Sequence, residues 1–150
     1  MAKAYRVLAY LIAFEVALQA AFIAWGVFGL SHWIEGGHSL DKKTFDDRST
    51  FHFTEERGFM FHGINGQMII PLLSLALLVV ALIWKGPGAV RAAAIVLGLV
   101  VLQVVLGMTA EDVPFLGALH GLNALLVFGA AVRAGKGVSP RAAGSASPPA

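Results

Sequence analysis

The residues with the clearest capacity for chemistry are His62-Gly63-Ile64-Asn65 and His120-Gly121-Leu122-Asn123, one pattern that occurs twice, each time inside an apolar segment. A neutral imidazole keeps one ring nitrogen free to bind a metal. A single histidine in an apolar helix is normally a packed core residue, but two in the same local setting can approach one cofactor from opposite sides. Such a site needs two neutral histidines at equal depth, space for a ring between them, and close backbone approach. Gly63 and Gly121 remove bulk beside the histidines. Asn65 and Asn123, three residues on, share the histidine face and can hydrogen-bond a bound ring or a neighbouring helix.

The elements that must position this pair are set by hydropathy. The chain has 150 residues, 57% hydrophobic and 13% charged, outside the range of soluble domains. Four apolar stretches, about 5–31, 59–84, 89–110 and 114–133, are each long enough to cross a hydrocarbon core of about 30 Å as a helix. The expectation is an all-α integral membrane protein, an antiparallel four-helix bundle with one domain over 1–133 and a disordered cytoplasmic tail over 134–150. The first apolar run is too long for a secretion signal and contains Glu15, so it reads as an uncleaved helix.

The formal charge of +2 does not point to nucleic acid, because the basic residues sit at segment ends. Lys3, Arg6, Lys85, Arg91, Arg133, Lys136 and Arg141 mark one side as cytoplasmic, with both termini inside a bacterial inner membrane. The outer connection, about 32–58, carries charges of both signs, His32, His38 and His52, and several aromatics. Its histidines follow no zinc-site spacing and read as solvated or packing residues. Phe51, Phe53, Phe59 and Phe61 with Trp33 are expected to form an interfacial lid, and Pro71 is expected to kink the second helix.

A wider repeat accompanies the histidines. Ala17-Leu18-Gln19-Ala20 lines up with Val101-Leu102-Gln103-Val104, each upstream of a His-Gly-x-Asn helix, so the chain reads as two repeated helical hairpins. His62 and His120 then fall at similar depth on diagonally opposed helices, facing across the core. That arrangement suits one planar macrocycle, a noncovalent haem b, since no cysteine is present for covalent attachment. Two axial histidines leave the iron no open position, which favours electron transfer over oxygen chemistry. Arg57, Arg48, Lys42 or Lys43 are candidates to pair with its propionates.

Two other readings fit the same residues. A cofactor-free accessory subunit of a larger respiratory-type complex would use the His/Asn pairs to lock helices together. A quinone or proton site would use His62 with Glu15 and Gln19, four residues apart on one helix face.

The pattern resembles one four-helix half of haem A synthase, and small four-helix bacterial membrane proteins that share the late His-Gly-x-Asn helix. The resemblance covers about 5–133 and rests on topology and the two short motifs. It implies His62 and His120 as axial ligands. The synthase has eight helices and a glutamate three residues before a ligand histidine, where this chain has Phe59 and Gly117, so haem modification is not expected. The function expected is that of a membrane b-type cytochrome, working with a membrane redox complex or a quinone.

Overall fold

The computed structural model describes residues 1–46 and 50–137. It is all-helical among these residues. The elements are α1 (Ala2–Glu35), a short α2 (Lys42–Asp46), a 3-10 turn (Thr54–Glu56), α3 (Arg57–Ile64), a π-helical turn (Asn65–Ile69), α4 (Ile70–Trp84), α5 (Ala89–Thr109) and α6 (Phe115–Lys136). The pieces over Thr54–Trp84 form one long helix, and with α1, α5 and α6 they make four helices long and apolar enough to cross a membrane.

Round the bundle, α1 packs on α3, α4 and α6, while α5 packs on α4 and α6. The two diagonals are therefore α1 with α5, and the α3–α4 helix with α6. At one end Tyr5 donates from its hydroxyl to the Ala89 carbonyl at 3.0 Å and its ring lies 5.7 Å from that of Trp84. Gly135 meets the ring of Tyr10 at the same end.

The buried core lies in the half of the bundle next to this end. It consists of Tyr5, Ala9, Ile12 and Ala13 from α1, Ile70, Leu77 and Ala81 from α4, Ala89, Ala93, Val96 and Val100 from α5, and Val127, Ala131 and Ala134 from α6. Spacings of three and four put these residues on one stripe of each helix. Small side chains on that stripe let helix backbones approach closely, while large apolar residues such as Leu72, Leu82, Leu122 and Leu126 remain on the outside.

Three expectations are corrected. First, α1 runs to Glu35, past the expected end near 31, so the connection is shorter and carries helical turns of its own. Second, the irregularity tied to Pro71 falls one turn earlier, as the π turn Asn65–Ile69, and the helix continues through it. Proline has no N–H to donate, so it sits at the start of α4, where a widened preceding turn already gives up the regular bond. Third, the fourth helix extends to Lys136 with Ala134 and Gly135 buried, so the expected tail cannot begin at 134. The remainder of that tail, with Arg141, and Arg48 in the connection lie outside the described residues.

Candidate functional site

Away from the packed half the bundle is hollow. A cavity of about 1290 Å³ is lined by residues of all four long helices and of the connection between α1 and α3. His62 and His120 both line it, and their ring centroids lie 6.1 Å apart with ring planes inclined by 58°. The two histidines come from the diagonal pair of helices, as their repeated placement in the sequence implies.

Each histidine is held by a glutamine of the preceding long helix. The Gln19 side-chain amide donates from Nε2 to the His62 carbonyl at 3.0 Å, and His62 Nδ1 lies 3.2 Å from the Gln19 carbonyl. The second hairpin repeats both bonds: Gln103 Nε2 donates to the His120 carbonyl at 3.0 Å, and His120 Nδ1 lies 3.0 Å from the Gln103 carbonyl. A carbonyl oxygen only accepts, so Nδ1 carries the proton in both rings. In a neutral imidazole Nε2 is then left with its lone pair, the form that binds a metal.

The asparagines work behind the histidines. Asn65 and Asn123 are 3% and 4% exposed and face neighbouring helices, outside the cavity lining. Asn123 Nδ2 donates to Gln103 Oε1 at 2.7 Å and to the Leu99 carbonyl at 2.9 Å. Asn65 Nδ2 donates instead to the Glu15 carboxylate at 3.0 Å, with the Glu15 carbonyl at 3.5 Å. Gln19 Oε1, Asn65 Oδ1 and Asn123 Oδ1 are buried with no hydrogen-bond partner.

Glycines shape the cavity wall. Gly63 and Gly121 both line it, and a Cβ added to either would meet nothing within 4 Å. The open space beside each histidine is therefore bounded by bare backbone. Gly107 and Gly66 play a different part: a Cβ at Gly107 would lie 3.0 Å from the His120 ring, and one at Gly66 would collide with the Gln19 amide. Neither glycine belongs to the repeated motif, so no pattern in the sequence marks them.

Arg57 lies outside the cavity lining, with its guanidinium 5.5 Å from the centre of the Phe51 ring. Of the aromatics expected to form a lid, Trp33, Phe51, Phe53 and Phe59 line the cavity, and Phe61 does not. Phe59 packs on Gly26, and Phe61 lies 5.5 Å from Phe22, so both belong to the contact between α1 and α3. Trp33 stacks on Phe53 at 5.6 Å and on His38 at 4.9 Å, at the end of the cavity next to the connection between α1 and α3.

Among the described residues no group of three or more histidines and carboxylates is placed to hold a metal ion. No family model, curated protein or solved structure matches the chain.

Proposed function

We propose that this chain is a multi-pass inner-membrane protein, an antiparallel bundle of two repeated hairpins with both termini cytoplasmic, that holds one haem b between His62 and His120 near its outer surface. The observation that carries this reading is the mutual placement of the two imidazoles. Metal–nitrogen bonds of about 2.0 Å, and five-membered rings with bonds of about 1.33 Å, place the centroids of two opposed imidazoles on one metal roughly 6.3 Å apart. The rings of His62 and His120 are 6.1 Å apart, and each has its Nδ1–H engaged by a carbonyl.

Two imidazoles alone under-coordinate a metal ion, and a tetrapyrrole supplies the four remaining nitrogens. The cavity is larger than the usual range of about 300–1,000 Å³ for small-molecule pockets, and Gly63 and Gly121 leave space beside the histidines for a flat ring. When bound, such a haem supplies a one-electron couple with no open coordination position. The chain's own part is to fix both ring tautomers through the Gln19 and Gln103 backbone carbonyls and to surround the site with apolar helices. Proximity to one face implies that the electron partner, a redox complex or a quinone, is met on the outer side.

The reading is tested by a dithionite-reduced minus oxidised spectrum of the detergent-purified protein, with a pyridine haemochrome assay. Sharp alpha and Soret bands at about one haem per chain are expected, lost in His62→Ala and in His120→Ala. An unchanged spectrum in either variant removes that histidine as a ligand. A colourless protein that takes up no added haem leaves the accessory-subunit reading, which the Gln–His bonds between helices favour because they lock the hairpins without a cofactor.

A further inference from the structure

The cavity that holds the histidine pair also reaches the connection between α1 and α3, where a second set of polar groups lines it. His52 and Glu56 sit there together. The His52 backbone N–H donates to Glu56 Oε2 at 2.7 Å, and His52 Nδ1 lies 3.5 Å from the same oxygen. Trp33 fixes the other side of the imidazole, with ring centroids 6.2 Å apart, and is itself stacked on Phe53. Both members of the pair are only about a quarter exposed, 23% and 26%. The outcome is an imidazole beside a carboxylate at the rim of a largely apolar space.

We propose that this outer chamber is a binding site for the ring of a lipid-soluble quinone and its hydroquinone, with His52 as the group that hydrogen-bonds the ring oxygen and Glu56 as the residue that positions it. The ligand class follows from the chemistry of the walls. Leu40, Phe51 and Phe53 offer a flat apolar ring a dry surface, and among the wall residues this imidazole suits a ligand that changes between hydroxyl and carbonyl. In the neutral imidazole protonated at Nδ1, the nitrogen near Glu56, Nε2 accepts the hydroxyl hydrogen of the reduced ring. With both nitrogens protonated, Glu56 balances the charge and Nε2–H donates to the carbonyl of the oxidised ring.

Glu56 precedes His62 by six residues, about 9 Å along a helix at 1.5 Å per residue, so the ligand would lie in the same chamber as the histidine pair. The redox meaning of this site rests on the haem reading above, but binding itself does not.

The test is photolabelling of the full chain in nanodiscs with an azido-benzoquinone carrying a decyl chain, followed by peptide mapping, alongside the absorbance spectrum of the same sample. Saturable label is expected between Trp33 and Phe59, displaced by unlabelled decyl-benzoquinone. His52→Ala should weaken it by about tenfold, the scale of losing one good hydrogen bond, and Glu56→Gln should weaken it less because an acceptor oxygen remains for the His52 backbone. Unsaturable label scattered over the outward leucines of α4 and α6 overturns the site. So does saturable label undiminished in both variants, or label displaced by added phosphatidylglycerol and untouched by unlabelled quinone. A colourless protein that still labels saturably removes the haem and keeps this pocket; a haem-loaded protein without saturable label removes the pocket and keeps the haem.

Discussion

Gln19 and His62 bond to each other twice, side-chain amide to carbonyl at 3.0 Å and ring nitrogen to carbonyl at 3.2 Å. One pair of residues thereby joins two helices and sets which ring nitrogen faces the cavity. The first prediction concerns this clasp. In Gln19→Ala the His62 carbonyl loses its side-chain donor while the Gln19 backbone carbonyl beside the ring remains, so on the proposed haem reading the affinity should fall about tenfold, the scale of one lost hydrogen bond. Gln103→Ala should act in the same way on His120. Transfer of haem to an apo-globin acceptor measures both, and an unchanged rate in both variants would show that the clasps serve only to join helices.

Gly63 and Gly121 separate cavity from packing. An added methyl group meets nothing within 4 Å at either site, and alanine is the better helix former by about 0.8–1.0 kcal/mol. Gly63→Ala and Gly121→Ala should therefore leave the haem-free protein as stable as the parent or slightly more so, while lowering haem uptake. Gly107→Ala should do the reverse of the first effect, because its methyl group would press on the His120 ring at 3.0 Å. Thermal unfolding of the haem-free chain and haem titration read the two effects separately.

The repeat and the four apolar segments were legible because histidine, glutamine and asparagine stand out against a nearly uninterrupted apolar background. Helix ends at Trp84 and Ala89 were also legible, since Lys85-Gly86-Pro87-Gly88 breaks the pattern; Lys85 and Gly88 adopt positive φ values of 55° and 73°. Which faces pack was not. In a bundle apolar on every side, periodicity cannot distinguish Leu77, which is buried, from Leu75, which is 49% exposed. The hollow was hidden for a related reason: cavity walls such as Val104 and Ala124 have the same residue types as a packed core. The Gln–His bonds span 43 and 17 residues, and no local spacing encodes them.

In the packed half, Tyr5→Phe removes a buried hydroxyl bond to the Ala89 carbonyl while keeping the ring against Trp84. The expected cost is about 1 kcal/mol, with the histidine site at the other end of the core unaffected. Urea or mixed-micelle unfolding of the variant against the parent gives the number, and the haem spectrum serves as the control.

Asp41 provides a pH-dependent element outside the four long helices. Its Oδ1 accepts the Thr44 backbone N–H at 2.7 Å at the start of α2, and that bond, reinforced by the Thr44 hydroxyl, holds the Asp41 carboxyl below the usual aspartate range. A lowered folded-state value means that the stabilisation of α2 is complete above the ordinary aspartate pKa of about 3.9 and is lost as pH falls through the lowered value. The Thr44 amide chemical shift should follow that titration, and in Asp41→Asn, which keeps an acceptor oxygen without a titrating group, it should stay flat.

Glu15 is where the two hairpins differ. Asn123 donates to Gln103 Oε1 because Leu99 offers only its carbonyl, whereas Asn65 donates to the Glu15 carboxylate and leaves Gln19 Oε1 buried and unpaired. Glu15→Leu places in the first hairpin the residue type that the second already has. Asn65 then has Gln19 Oε1 as its available acceptor, one bond replaces another, and the predicted change in stability is within about 0.5 kcal/mol. A Glu15→Leu, Gln19→Leu double variant removes both side-chain acceptors and leaves the Asn65 amide only the Glu15 backbone carbonyl at 3.5 Å, so its loss should exceed the sum of the two single losses by about 0.5–1.5 kcal/mol. Additive losses would mean that Asn65 finds no such second partner. If Glu15→Leu alone lowers stability by several kcal/mol, the two hairpins are not interchangeable at this level and the carboxylate has a role that Leu99 does not share.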